Sequence, residues 1–310
     1  MRIGVVLVTF NRKEYLKKAL KKYDAQTYVP ECICVVNNGS TDGTKELLKE
    51  WEKQSTKYER IVINSKENTG GSGGFYQGIR FLMENKKLDW IFVSDDDAYP
   101  AEDMLYQMEK KVIGVLDDTV VAVCASVGYA DGAVSSPHII RQRIRMGKLI
   151  STRVDETEYQ KDFFEISTLT FVGAMMRCSA IAEVGYPDKD YFIYHDDSEY
   201  ALRLATKGTI VCVPRAKIFH DCNNSMNIRG TWKAYYELRN RIIMYREHYP
   251  KVMLWRLVFS QYIKRLSIVA IIIKKYTRSE RKLYFSAIKD GLAGIKGLHE
   301  IYKPGFSIEK

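Results

Sequence analysis

Four apolar runs, each closed by polar residues and the first three followed by helical stretches, constrain the fold of this chain more than any other feature. Ile3–Thr9 ends at Phe10, Asn11 and Arg12, and residues 13–23 then space Tyr15, Leu16, Ala19, Leu20 and Tyr23 along one helical face. The run 32–36 ends in the polar stretch 37–44, where Ser40, Thr41 or Asp42 can cap a helix starting at Lys45. The short run 61–63 precedes a glycine-rich segment, 68–75, and a helix expected over 76–85. The fourth run, 90–93, ends in Asp95, Asp96 and Asp97. Alternation of this kind predicts an α/β fold with a mostly parallel sheet. Such sheets bind ligands beyond the carboxyl ends of their strands. All four strand ends here are polar, as a nucleotide site requires.

Three adjacent acids repel one another and pay for desolvation unless a cation compensates. Side chains of an extended chain alternate, so Asp95 and Asp97 share a face. Two hard oxygen ligands at a strand end suit Mg²⁺ or Mn²⁺ with a bound phosphate; a solvated acidic turn is the competing reading of the triplet. The segment Gly70-Gly71-Ser72-Gly73-Gly74 matches neither the Walker A nor the dinucleotide fingerprint. Its glycines permit close backbone approach and leave amides for an anion, or else serve a tightly packed strand-to-helix turn.

Further along, 120–126 reads as a strand, 128–163 as an irregular or two-stranded excursion, and 169–177 as a strand carrying Gly173. A helix over 179–184 precedes a second acidic cluster, Asp196 and Asp197, which opens a helix expected to close at Gly208. The helix dipole favours acids in a first turn, so a structural role competes there with a catalytic one. A strand over 209–213 leads to Pro214 and then to His220 and Asp221.

The formal charge of +10 is uneven. Residues 229–310 hold 18 Lys+Arg and 6 Asp+Glu, net +12, leaving net −2 for the rest, so a boundary is drawn between 1–228 and a basic C-terminal helical region, 229–310. Aromatic and basic residues interleave over 231–246. The apolar stretch 252–273 is broken by Arg256, Lys264 and Arg265, leaving at most eight uncharged residues in a row, far short of the ~20 that span a bilayer. A basic, aromatic helix on an anionic membrane surface is one reading. Packing on the first domain, or pairing with a second subunit as a homo-oligomer, is the other. Nucleic acid is a weak candidate partner, because no recognised binding motif accompanies the charge. The six cysteines lack zinc spacing and read as reduced, and no cleavable signal peptide is expected, which together suggest a cytoplasmic protein.

Taken in order, VLVTFNR, VVNNGSTDGT, NTGGSGGF, SDDDA, FVGAM, HDDSEYALRLATKG and FHD resemble the inverting glycosyltransferases of family 2, which have the GT-A fold. The likeness covers the first 221 residues. GGSGGF and DDDA are most similar to the galactofuranosyltransferase branch, with rhamnosyltransferases close by. The resemblance implies that Thr9, Phe10 and Asn11 border the uracil of a UDP-sugar. Asn38 stands where many relatives carry an aspartate for the base or ribose. Gly70, Gly71, Ser72, Gly73 and Asp96 fall on the donor side. Asp95 and Asp97 match the metal ligands, His220 the late histidine that completes the site, and Asp197 the general base, with Asp196 beside it. Gly173 matches part of the wall facing the acceptor. The expected cofactor is Mn²⁺ or Mg²⁺ and the expected donor UDP-galactofuranose, with dTDP-rhamnose the alternative. A cell-surface polysaccharide or polyprenyl-linked glycan would be the acceptor, met at the inner face of the cell membrane.

Overall fold

A computed structural model describes residues 1–114, 117–129, 140–145, 148–221, 228–266 and 276–308. Its first half is the expected alternation: β1 (Ile3–Thr9), α1 (Lys13–Asp24), β2 (Cys32–Asn37), α2 (Thr44–Lys53), β3 (Glu59–Asn64), α3 (Gly70–Asn85) and β4 (Trp90–Asp95). These four strands are parallel and lie in the order β3-β2-β1-β4. Every residue of β1 and β2 is buried, because helices cover both faces. Val6 and Val8 of β1 meet Phe75 and Ile79 of α3 in one apolar cluster. Val5 and Leu7 join Leu16, Leu20, Leu48 and Trp51 of α1 and α2 in another.

The second half extends the sheet. It contains β5 (Ala98–Pro100), α4 (Met104–Gly114), β6 (Val120–Gly128), the hairpin β7 (Ile140–Arg145) and β8 (Lys148–Arg153), β9 (Phe164–Ile166), β10 (Ala174–Arg177), α5 (Cys178–Val184), α6 (Asp196–Leu204) and β11 (Thr209–His220). The sheet continues β4-β10-β6-β11-β5, with β9 also on β11. β10 runs antiparallel to both β4 and β6.

Four sequence expectations are corrected here. The helix expected from Tyr76 begins at Gly70, so the glycine run is helix rather than loop. A Cβ on Gly74 or Gly78 would lie 2.4 Å from Val8 or Val6, and this close seating of α3 on β1 explains the small residues. The strand expected over 169–177 shrinks to Ala174–Arg177 because Gly173, at φ +81°, turns the chain. α6 stops at Leu204 rather than at Gly208, and Gly208 instead packs against the Thr119 carbonyl. The last strand does not end before Pro214. β11 carries it to His220, accommodating the proline at a register shift against β6 between Val213 and Lys217.

Among the described residues three helices follow: α7 (Trp232–His248), α8 (Lys251–Leu266) and α9 (Arg278–Ala293). The aromatic, basic stretch of α7 is not a surface helix. Tyr235, Tyr236, Leu238, Arg239, Asn240 and Ile242 are buried, and the helix packs against α9 and Phe192 in a third cluster. Several of its neighbouring cations are paired internally, as in Arg229–Glu280 and Arg241–Glu237. Among the described residues no helix is long and apolar enough to cross a membrane. Most of the uncharged run 266–273 lies outside the described residues.

Candidate active site

The carboxyl ends of β1, β2 and β4 and the start of α3 meet at one edge of the sheet. Thr9 is buried and its hydroxyl donates to Asp96 Oδ2 at 2.6 Å. Phe10 is exposed, and Asn11 takes a left-handed conformation, φ +52°. The Asn11 side-chain oxygen accepts the Thr41 amide at 2.7 Å while its own amide donates to Ser40 Oγ, which laces the β1 and β2 loops together. Asn38 is buried and its side-chain amide is spent within the protein. Nδ2 donates to Gly70 O at 2.7 Å, and Oδ1 accepts from the Thr69 amide and hydroxyl. It ties the end of β2 to the start of α3 rather than presenting its amide to a base.

Within the glycine run the positions differ. Gly70 has φ +74°, and a Cβ there would lie 1.9 Å from the Phe192 carbonyl. Gly73 packs on the Thr69 side chain, whereas a Cβ on Gly71 would meet open space. The Ser72 amide donates to the Phe192 carbonyl, so it is not among the amides left for an anion.

The acid triplet carries the strongest electrostatics. Asp95 and Asp97 lie with His220 so that one ligand atom from each falls within 4.8 Å of the others. The topology explains this meeting: β5, directly after the triplet, pairs antiparallel with the end of β11 and aligns His220 with Ala98. His220 Nε2 is 3.1 Å from Asp97 Oδ1. Burial, reinforced by Asp97 and Asp96, pushes the Asp95 carboxyl well above its ordinary range. Burial likewise lifts Asp96 to about 6, against the Thr9 hydrogen bond. Burial would raise Asp97 too, but the His220 hydrogen bond and the Arg12 charge outweigh it and hold that carboxyl low.

Arg12 is the site residue that the motif reading passed over. Its Nη1 donates to Asp97 and reaches Asp96 Oδ1 at 3.4 Å. Burial would lower its pKa, yet the facing carboxylates win and hold the guanidinium above its usual value. The signal was present in the sequence, since three adjacent acids at a strand end demand a cation and Arg12 closes a neighbouring strand.

Asp196 and Asp197 open α6 on the other side of the Gly70–Ser72 turn. Asp196 is buried, and desolvation with the adjacent Asp197 charge lifts it to about 7 against the Ser72 hydroxyl. Its charge is among the smaller causes that raise the Asp95 carboxyl. Asp197 is half-buried. Burial raises its pKa, opposed by the Ser198 amide, which donates to Oδ1 at 2.6 Å. Gly173 lies beside the end of β4, just before the acid triplet, buried against Ile218 and Ala125 with its amide donating to Val93 O. It bridges β4 and β6, its carbonyl accepting the Ala125 amide.

The two oxygens and one imidazole nitrogen of Asp95, Asp97 and His220 form a donor set that fits a hard divalent cation, with the nitrogen favouring Mn²⁺ over Mg²⁺. The family model "Glycosyl transferase family 2" matches residues 4–185. The chain belongs to that family. Among curated relatives of this family 2 chain, galactofuranosyltransferase GlfT1 of Mycobacterium tuberculosis is 29% identical over 214 residues, 66% of this chain and 65% of the relative. The chain therefore spans just under two thirds of that relative's length. The dTDP-rhamnosyl transferase RfbF of Shigella flexneri is 25% identical over 95% of this chain and 97% of its own. Among solved structures, S. aureus TarS in complex with UDP-GlcNAc aligns with a TM-score of 0.60 at 13% identity, over 95% of this chain and 82% of that one. Mannosyltransferase PcManGT from Pyrobaculum calidifontis, in complex with GDP-Man and Mn²⁺, aligns with a TM-score of 0.56 at 15% identity, over 95% and 88%. These likenesses establish the GT-A fold.

Proposed function

We propose that the protein is a metal-dependent inverting glycosyltransferase that moves galactofuranose from UDP-galactofuranose to a cell-surface polysaccharide or lipid-linked glycan. The observation that carries this reading is the metal-type donor set of Asp95, Asp97 and His220 at the carboxyl edge of the sheet, accompanied by a second acidic pair, Asp196 and Asp197, at the start of α6. In the transfer, an acceptor hydroxyl oxygen bonds to the anomeric carbon as the bond to the diphosphate oxygen breaks on the opposite face, and the anomeric centre inverts. Asp197 accepts the hydroxyl proton, being the less buried of the two carboxylates. Asp196, raised by burial and by the adjacent Asp197 charge, shapes the field beside it. Asp95, Asp97 and His220 would hold the cation, which when bound neutralises charge developing on the departing diphosphate. Thr9, Arg12 and Asp96 form a preset hydrogen-bonded frame around that position. The GlfT1 likeness supports galactofuranose as the sugar, and the full-length likeness to RfbF keeps dTDP-rhamnose as the second donor to test.

The test is a donor panel of UDP-galactofuranose, UDP-galactopyranose and dTDP-rhamnose with Mn²⁺, scored by nucleotide release on a glycan acceptor. UDP-galactofuranose is expected to turn over fastest, with activity lost in EDTA and restored by Mn²⁺. Asp97→Ala should remove metal-dependent donor binding. Asp197→Asn should leave donor affinity nearly intact and slow transfer by ~10²–10⁴. Preferential dTDP release, or full activity in excess EDTA, would overturn the reading.

A further inference from the structure

The loop that delivers Asp196 and Asp197 is strained, and α7 is built to hold it. Phe192, Tyr194 and His195 have φ of +67°, +66° and +65°, and none is glycine. With ψ −59° at Phe192 and a 2.9 Å bond from the Ile193 amide to Tyr191 O, the chain makes a positive-φ γ-turn, a rare and costly conformation. Such strain persists only where the surroundings over-determine it.

The restraint comes from a fully buried side chain on α7. Asn240 Nδ2 lies 2.9, 2.8 and 3.0 Å from the carbonyls of Tyr191, Ile193 and Tyr194. Arg239, also buried, donates from Nε to Asn240 Oδ1 at 2.9 Å, which turns the amide so that its N–H groups face the loop. The other two guanidinium nitrogens donate to Tyr191 O and Gly297 O, and the plane lies over the Tyr236 ring. From the opposite side, Gly70 and the Ser72 amide close on the Phe192 carbonyl.

We infer that Asn240, oriented by Arg239, is a positioning residue for the Asp196–Asp197 pair, so that α7 belongs to the transfer machinery. This rests on the reading of those carboxylates as catalytic. A loop free to relax from its left-handed turns would shift the start of α6, and misplacement by about 1 Å costs on the order of 10² in rate.

The test compares Asn240→Asp (the same shape without the donors), Asn240→Ser and the milder Arg239→Lys with the wild type and with Asp197→Asn. Each is measured for kcat, for donor affinity by calorimetry and for amide hydrogen exchange over residues 191–198. Expected are a fall in kcat of about 10² for the Asn240 variants, donor affinity within a few-fold of wild type, and faster exchange confined to 191–198. Adding Asn240→Asp to Asp197→Asn should slow transfer little further, as for residues acting as a unit. Folded variants with wild-type kcat and wild-type exchange at 191–198 would overturn the inference. If the wild type transfers no sugar, the functional reading fails, and the exchange measurement alone decides whether Asn240 restrains the loop. If Asp197→Asn transfers normally while the Asn240 variants do not, the base has been misassigned and the positioning role stands.

Discussion

At the scale of single residues, Arg12 and a divalent cation would both draw on the Asp97 carboxylate. Arg12 Nη1 reaches both Asp97 and Asp96, and Asp97 is also one of the three candidate ligands. A side chain about half exposed at that position contributes modestly, of order 1 kcal/mol, because solvent screens it. Arg12→Ala should therefore lower the melting temperature in EDTA by roughly 2–4 °C and enlarge the stabilisation gained on adding Mn²⁺. Asp97→Ala should abolish that Mn²⁺-dependent gain. Differential scanning calorimetry with EDTA and with MnCl₂ measures both. An Arg12→Ala protein whose Mn²⁺ response equals the wild-type one would show that arginine and cation do not share the carboxylates. The arginine was legible in principle, because charge balance at Asp95–Asp97 requires a partner, but sequence order alone does not say which of several cations reaches them.

Among the secondary-structure elements, α3 shows what sequence pattern can and cannot deliver. The parallel strands were legible because apolar runs bounded by polar residues have few other uses. The glycine segment was ambiguous, since glycine signals both backbone approach to a ligand and approach of one element to another. The structure separates these uses by position. Gly74→Ala would drive a methyl into Val8, 2.4 Å away on a stiff β-branched strand residue, and should cost about 1–3 kcal/mol of unfolding free energy in urea. Gly71→Ala meets open space and replaces a helical glycine, so stability should hold or rise by up to about 1 kcal/mol. If Gly71 is where the donor approaches the backbone, its KM should rise while stability does not fall. An unchanged donor KM would assign the whole run to packing. The strand at Gly173 and the end of α6 were misread for a related reason, because a glycine's left-handed turn or close contact is set by neighbours distant in sequence, here Ile218 for Gly173 and Thr119 for Gly208.

For the whole molecule, the basic C-terminal region divides into a buried part and an exposed part, and only the second can meet a surface. α7 is committed to the interior, and Arg265 lies over the Tyr284 ring, so charge counted along the sequence overstates what solvent sees. What remains is directional. Val252, Trp255, Phe259 and Tyr262 recur at helical spacing on α8, each at least half exposed, with Lys251 and Lys264 exposed on the same helix. On α9, exposed Phe285 sits between exposed Lys282 and Lys289. Aromatic side chains flanked by lysines suit the headgroup region of an anionic bilayer. A second copy of this net-basic region would bring like charges together, so we propose lipid as the occupant, where a lipid-linked acceptor would be met. Each lysine near such a surface contributes about 1 kcal/mol, screened by salt. Binding to mixed phosphatidylcholine–phosphatidylglycerol vesicles should therefore weaken by at least tenfold, roughly, when Lys251 and Lys264 are both reversed to Glu. It should also weaken in Trp255→Ser. A blue shift in tryptophan fluorescence on vesicle addition should vanish in Trp255→Phe, because Trp51 and Trp90 are already buried and the half-buried Trp232 is packed against Phe192 and Tyr236. Loss of dimerisation in Trp255→Ser by sedimentation equilibrium, with no vesicle binding by the wild type, would instead assign this face to a second subunit.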